Sequence, residues 1–302
     1  MKAILKLILP SKVYSYLQIR RRQYFEQHFF ETRFETIQCG QFEIQAPVDH
    51  ILLKLQRTQP YRDLFVGITA KFIASKYPQK NMVDIGANIG DTAALMASNC
   101  TNKLILVEAS DYFHEILKKN ATKLPNEVVI KKCFVSDGSV VTGSLHHWKG
   151  TAAFQEKSED TMQVKTERLE DVADNDTCFI KSDTDGYDFK ILMSSLNWIE
   201  KVKSALLFEN HLGNSGDFSD SDKLITELDS IGYKYFIVWD DTGLHMVSTD
   251  NIQVIKDLNR YLFKMWSVVN NEIKGIYNYD VLCLHKRDQD IFDNVSEWYR
   301  TY

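Results

Sequence analysis

Three groups of residues in this chain have types and spacings that can do chemistry. The first is Val83-Asp84-Ile85-Gly86-Ala87-Asn88-Ile89-Gly90-Asp91, an apolar run that ends in a glycine turn and opens a helix. Such a turn brings backbone N–H groups close to a ligand at the carboxyl edge of a sheet. Position 88 is Asn and no glycine follows three residues after Gly90, so the dinucleotide fingerprint fails and NAD is disfavoured. The second is Glu108, 22 residues beyond Gly86, placed where a carboxylate accepts both hydroxyls of an adenosine ribose. Turn and carboxylate together select a nucleoside cofactor; the plain alternative is a tight structural turn plus a surface glutamate. The third group is Asp183 with Glu209-Asn210-His211, which end two neighbouring strands and so point carboxylates into one crevice. Two chemistries fit them. Asp183, Glu209 and Asn210 offer hard oxygen ligands for Mg²⁺ and, through it, for both oxygens of a sugar or catechol diol. Alternatively His211 or Asp183 takes the proton from an attacking hydroxyl directly. His146 and His147 lie in a polar insert that can approach the same crevice, although loop histidines are usually solvated. Asp185 either belongs to the site or caps the helix that begins near Tyr187.

To hold these groups together the chain needs a parallel sheet. From residue 81 onward it alternates short apolar runs with helical patterns: strands at Met82–Ile85, Leu104–Val107, Val128–Val135, Cys178–Ile180 and Ser204–Phe208, with helices at Asp91–Ala97, Tyr112–Lys119, Tyr187–Ser194 and Ser221–Ile231 between them. Continuous apolar runs of this length are the mark of strands covered on both faces. Tyr233–Trp239 and Tyr279–Leu284 add two more strands, with a helix over Ile252–Val269 between them. The stretch from Asp137 to about Asp160 has no clear period and is expected to be a loop or hairpin insert. The expected organisation is a basic, partly helical N-terminal extension over residues 1–60, an α/β domain over 61–290 and a C-terminal tail over 291–302.

With 302 residues, 44% hydrophobic and 25% charged, the chain is of globular composition and long enough for one large α/β domain. Its 36 basic and 41 acidic residues leave a net charge of −5, which provides no global positive field for a nucleic acid backbone. The five cysteines are scattered without a CxxC pair, which points to a reducing, cytoplasmic setting rather than a disulfide framework or zinc knuckle. The most apolar N-terminal run, Ala3 to Leu9, stops at Pro10, too short for a membrane span and without a signal cleavage site. Six basic residues and no acidic one precede Glu26. That segment either packs on the domain as a helix or lies on an anionic membrane surface.

The run from Val83 to Gly90, taken with Ile180-Lys181-Ser182-Asp183-Thr184-Asp185-Gly186-Tyr187-Asp188, resembles the FkbM family of methyltransferases over roughly residues 80 to 285. The family's Lys-x-Asp-x-Glu-Gly element here carries Asp185 in place of Glu. Leu207 to His211 and Phe134 to Asp137 resemble the endings of the family's fifth and third strands. The resemblance implies a Rossmann-like class I fold, a seven-stranded and mostly parallel sheet with helices on both faces. It also implies S-adenosylmethionine as cofactor, surrounded by Asp84, Gly86, Asn88, Gly90, Glu108 and Ser136. An Asp after strand four with an acidic residue and Asn after strand five is likewise similar to catechol-type O-methyltransferases, which supports the metal set Asp183, Glu209 and Asn210; with His211 as the best candidate for a direct base, the catalytic set is Asp183, Glu209 and His211. No Asp/Asn-Pro-Pro-Tyr element follows strand four, which disfavours nucleobase N-methylation. The expectation is O-methylation of a small acceptor, a sugar of a surface glycan, beside the inner membrane. A nonenzymatic cofactor-binding or scaffold protein of the same fold and a nucleotide-sugar oxidoreductase are the alternatives.

Overall fold

The computed structural model describes residues 33–148, 150–156, 162–184, 186–268, 276 and 278–301. The basic segment before residue 26 and Asp185 therefore lie outside the described residues. A hairpin of β1 (Phe34–Cys39) and β2 (Phe42–Pro47) leads into α1 (Ile51–Thr58) and α2 (Leu64–Lys76). Then come β3 (Asn81–Ile85), α3 (Asp91–Ala97), β4 (Leu104–Val107), α4 (Asp111–Ala121) and β5 (Val128–Lys131). An insert of β6 (Val140–Trp148), β7 (Thr151–Glu156) and β8 (Met162–Lys165) precedes α5 (Leu169–Val172), β9 (Thr177–Ser182), α6 (Asp188–Ser194) and α7 (Leu196–Val202). The chain continues through β10 (Ala205–His211), α8 (Ser215–Ser230), β11 (Tyr233–Asp240), β12 (His245–Thr249), α9 (Ile252–Val268), β13 (Asn278–His285) and α10 (Gln289–Thr301).

The central sheet runs β12-β11-β13-β10-β9-β3-β4-β5. Its first five strands in chain order, β3, β4, β5, β9 and β10, are parallel, whereas β13 is antiparallel to both of its neighbours. The chain winds outward from β3 to β5 and then returns to β9 on the other side of β3, so the strand order reverses between β3 and β9. Open α/β sheets bind their ligands at the carboxyl ends of the strands flanking such a reversal. Alternation along each strand feeds two cores. Met82, Phe179 and Leu207 pack under α2, α3, α4 and α10 on one face, while Val83, Ile180, Leu206 and Phe208 pack under α6, α8 and α9 on the other. Coverage on both faces is why these strands read as unbroken apolar runs.

Four features differ from the sequence expectation. The sheet has eight strands rather than seven, because β12 pairs antiparallel with β11 and forms the edge; all five of its residues are half-exposed, so no apolar run betrayed it. The irregular insert is a separate three-stranded antiparallel sheet of order β7-β6-β8. The presumed C-terminal tail is mostly the helix α10, whose Ile291 and Val295 are buried in the core. Residues 33–58, assigned to an extension, join the domain: the Gln45 N–H donates to Asn120 Oδ1 at 2.8 Å, and Asn120 Nδ2 donates to the carbonyls of Gln45 and Ile89. No helix among the described residues is long and apolar enough to cross a membrane, and all five cysteines are free.

Candidate cofactor and acceptor site

The turn after β3 is built on Gly86, whose φ is +77°, a conformation open to glycine and costly for most other residues. A Cβ there would stand 1.9 Å from the carbonyl oxygen of Asp183. Only glycine lets the ends of β3 and β9 close on each other. An open cleft begins at this point, lined among others by Gly86, Val107, Glu108, Phe134, Leu145 and Asp183. Glu108 ends β4 and is buried; its two carboxylate oxygens each accept a backbone N–H, from Asn88 and from Ser110, both at 2.8 Å. Each oxygen keeps a second lone pair for a ligand hydroxyl. Burial pushes the Glu108 carboxyl up to about 7 against the pull of those two N–H groups.

Asn88 is among the residues lining the cleft, and its side chain is tied to two other parts of the chain. Asn88 Nδ2 donates to the Gly150 carbonyl at 2.7 Å, and Asn88 Oδ1 lies 3.2 Å from His50 Nε2. Because His50 Nδ1 accepts the Leu52 N–H as the cap of α1, its Nε2 carries the proton and donates to Asn88. Burial lowers the His50 pKa, which favours that neutral form. Three distant pieces, the α1 cap, the β3 turn and the β6–β7 turn, are thereby knotted at one residue. The knot holds the insert over the cleft, where Phe134 meets Phe154 at 5.1 Å and Tyr187 at 4.8 Å between ring centroids. Gly90 and Ser136 stand behind the lining. A Cβ on Gly90 would meet Leu117 at 2.9 Å, in the helix layer, and Ser136 is fully buried with its hydroxyl unpartnered among the described residues. His146 and His147 fall on β6, with side chains outside the described part.

Asp84 does not reach the cleft. It is fully buried, accepts the Thr92 hydroxyl at 2.6 Å and faces Lys181 across the parallel β3–β9 register. Lys181 Nζ lies 3.2 Å from Asp84 and 3.5 Å from Asp183, with the side chains of Lys181 and Asp84 only 7% and 0% exposed. Burial alone would drive the ammonium to give up its proton, but Asp84, Asp183 and Asp91 overcome it and hold the Lys181 pKa above the ordinary range. Lys181 is thus a buried cation that fixes Asp183 at the mouth of the cleft. Asp188 fixes the turn beyond: it accepts the Ser182 hydroxyl at 2.6 Å and the Thr184 N–H, and burial pushes it up to about 6.

Next to Asp183 stand further acidic residues on the neighbouring strands. Glu209 on β10 stands directly opposite Asp280 on β13, so both side chains leave the same face. Asp280 is held well above the carboxylate range by burial and by Asp183 and Asp63, while Arg62 and Lys181 oppose the shift. His211, two residues beyond Glu209, belongs to the same face by alternation. Asn210, between them, belongs to the other. It is fully buried, donates to Asn259 Oδ1 at 2.9 Å and accepts the Ser221 hydroxyl at 2.6 Å. The expected metal set of Asp183, Glu209 and Asn210 is therefore not assembled: Asn210 points away, Asp183 is paired with Lys181, and Glu209 accepts from Asn278 Nδ2. No other group of three or more His, Cys, Asp or Glu among the described residues is arranged to hold a metal ion. The residues do not fit Mg²⁺.

Lys181 lies in the family element without a role of its own there, and neither Asp280 nor Arg62 falls in any motif. The signal for Lys181 was a charge inside an apolar strand, next to a strand with Asp84 in it. Arg62 and Asp280 gave no such signal, because only the folded sheet brings them to Asp183.

A sheet whose strands, without the edge strand β12, run 3-2-1-4-5-7-6 in order of appearance after the hairpin, with a cleft at its reversal point, is that of the class I S-adenosylmethionine-dependent methyltransferases. The family described as "Methyltransferase FkbM domain" matches residues 84–235, just over half of the chain. The chain belongs to the FkbM methyltransferase family. Among solved structures it is similar to methyltransferase FkbM from Methylobacillus flagellatus KT, with 14% identity, a TM-score of 0.42, and coverage of 68% of this chain and 44% of that one, so it spans less than half of that relative's length. TYW2 from M. jannaschii, solved in complex with AdoMet, has 11% identity, a TM-score of 0.36, and coverage of 83% and 84%. Precorrin-6y C5,15-methyltransferase from Geobacter metallireducens GS-15 has 10% identity, a TM-score of 0.38, and coverage of 73% and 87%. No curated protein matches the chain in sequence.

Proposed function

We propose that this methyltransferase acts on a hydroxyl of a small acceptor, a sugar in surface-glycan biosynthesis. The observation that carries the reading is that Asp183 lines the cleft while Glu209 and Asp280 stand opposite each other on the neighbouring strands β10 and β13. S-adenosylmethionine, when bound, supplies a methyl group activated on a sulfonium. The remaining task is to align a nucleophile in line with it and to take up a proton. Asp183 and His211 are the groups to accept that proton, and Glu209 orients a neighbouring hydroxyl; an amine nucleophile would need less help of this kind. The apolar cleft wall of Val107, Val135 and Leu145 suits a nucleobase, and the carboxylates of Asp183, Glu209 and Asp280 suit a polyol that donates several hydrogen bonds. Deleting the gene and comparing methylated sugars in the cell's glycans by mass spectrometry tests the reading. Loss of one methyl mark supports it; an unchanged glycan profile together with loss of a methyl group from a protein or nucleic acid overturns it.

The basic segment 1–25 is proposed to rest on an anionic membrane surface, each basic residue contributing about 1 kcal/mol there. Removing it should abolish binding to vesicles containing anionic lipid while leaving turnover on a soluble acceptor intact. Unchanged vesicle binding would refute the proposal.

A further inference from the structure

His50 caps α1, upstream of the residues that match the family, yet its buried ring is built into the turn after β3. Its two nitrogens have separate tasks. Nδ1 accepts the Leu52 N–H at 3.3 Å, and Nε2, which carries the proton, donates to Asn88 Oδ1 at 3.2 Å. The ring is tightly seated: Phe113 meets it edge-on at 5.8 Å between centroids, and Gly150 comes so close that a Cβ there would stand 2.8 Å from Nε2. Asn88 has a φ of +48°, in the left-handed region that is uncommon for a residue with a side chain. The Gly90 N–H closes the turn onto the Ala87 carbonyl at 2.8 Å, and the Asn88 amide, bonded to His50 at Oδ1 and to Gly150 at Nδ2, anchors the residue at its tip. In that conformation the Asn88 N–H points at Glu108 Oε2, 2.8 Å away. One of the two backbone donors that orient Glu108 thus belongs to a residue whose own side chain is held by His50.

We infer that His50 is a positioning residue of the cofactor site: through Asn88 it sets the donor that orients Glu108 for the two hydroxyls of the ribose. This rests on the reading of Glu108 as the ribose acceptor. A group that touches a ligand is precise only when others behind it lock its geometry, and His50 does so from a segment that reaches no ligand itself. The neutral ring, with an acceptor at Nδ1 and a donor at Nε2, is the one form that serves both the helix cap and Asn88.

The test is calorimetry with S-adenosylhomocysteine on two variants that divide the ring between them. Asparagine places its amide where Nδ1 was and keeps the cap of α1; glutamine places its amide where Nε2 was and keeps the donor to Asn88. His50→Asn should weaken S-adenosylhomocysteine about 5- to 10-fold, within the range for one lost hydrogen bond, whereas His50→Gln should stay within about twofold of wild type. Thermal stability should rank the other way, with His50→Gln the lower of the two because α1 has lost its cap. In competition experiments the loss in His50→Asn should appear with adenosine and be absent with 2′,3′-dideoxyadenosine, which has no hydroxyl for Glu108 to accept. A comparable loss in both variants, an unchanged affinity in His50→Asn, or an equal loss on adenosine and its dideoxy analogue overturns the inference. If neither variant folds, histidine ¹⁵N NMR of the wild type decides: the exchange-protected Nε2–H of the buried ring should shift when S-adenosylhomocysteine binds, and a resonance that stays in place overturns it. Glu108→Gln keeps the two failures apart. Should it bind S-adenosylhomocysteine as well as wild type does, the reading of Glu108 fails and this inference with it; should it bind weakly while His50→Asn binds normally, this inference fails alone.

Discussion

Replacing Lys181 with Met should be among the most damaging single changes to stability that leave the packing volume nearly intact. The ammonium lies 3.2 Å from Asp84 and 3.5 Å from Asp183, and its removal strands a fully buried carboxylate with only the Thr92 hydroxyl as a side-chain donor. Breaking a buried pair from one side costs about 3–5 kcal/mol, most of it the penalty of the charge left behind. Against a total stability of about 5–15 kcal/mol the variant remains folded, with Tm lower by roughly 6–20 °C. Asp84→Asn in the same chain removes the stranded charge, so the double variant should recover at least about 2 kcal/mol of the loss. The pH dependence has a definite sign. A lysine whose folded pKa is raised contributes fully below its unfolded value of about 10.4, so the difference between wild type and variant should stay constant from pH 7 to pH 10. On the acid side it should shrink, because the stranded Asp84 escapes its penalty by taking up a proton. Urea denaturation of the four proteins of the cycle at pH 5 and pH 8 measures all of this. A loss below about 1 kcal/mol for Lys181→Met, or a double variant no better than the sum of the singles, would refute the description of Lys181 as a charge held by Asp84.

Glu108, pushed up to about 7 by burial, should make S-adenosylhomocysteine affinity rise with pH by up to about tenfold per unit and level off above pH 7; Glu108→Gln should bind weakly and without that slope, as calorimetry from pH 5.5 to 8.5 would show. The same raised pKa means that the unliganded protein loses stability as pH rises from about 4.3 to 7, and this loss should vanish in Glu108→Gln. Gly86→Ala should abolish S-adenosylhomocysteine binding, since its Cβ would drive into the Asp183 carbonyl; binding within threefold of wild type would contradict the closure of β3 on β9. Asn88→Ala should cost about 1–3 kcal/mol by leaving His50 and the Gly150 carbonyl unpaired and should speed proteolytic cleavage in the insert, to be read by gel after limited trypsin digestion.

What the sequence revealed, and what it hid, follows from how each element is buried. Strands covered on both faces announce themselves as apolar runs, so β3, β4, β9 and β10 and the turn at Gly86 were legible. β12 was not, since a half-exposed edge strand such as His245–Thr249 has no hydrophobic signature. α10 was legible in principle: Ile291 and Val295 are four apart on one face. The faulty metal set had a remedy in the sequence, because Glu209 and Asn210 are consecutive in a strand and must leave opposite faces. Arg62 and Asp280 were beyond reach, since nothing local links the α1–α2 link or β13 to the end of β9.

The position of β13 decides when Glu209 and Asp280 can meet. It lies between β10 and β11 although it follows both in the chain, so each of those earlier strands lacks its neighbour on that side until residues 278–285 arrive. During synthesis, β3, β4, β5, β9 and β10 can assemble as they emerge, but the edge of β10 waits open, and β11 has no partner in the sheet core. Pairings of such long sequence separation form slowly and expose strand edges in the meantime. Glu209 meets Asp280 only at that final step, so a nascent chain can gain its nucleoside cleft while still lacking the wall against which an acceptor would be held.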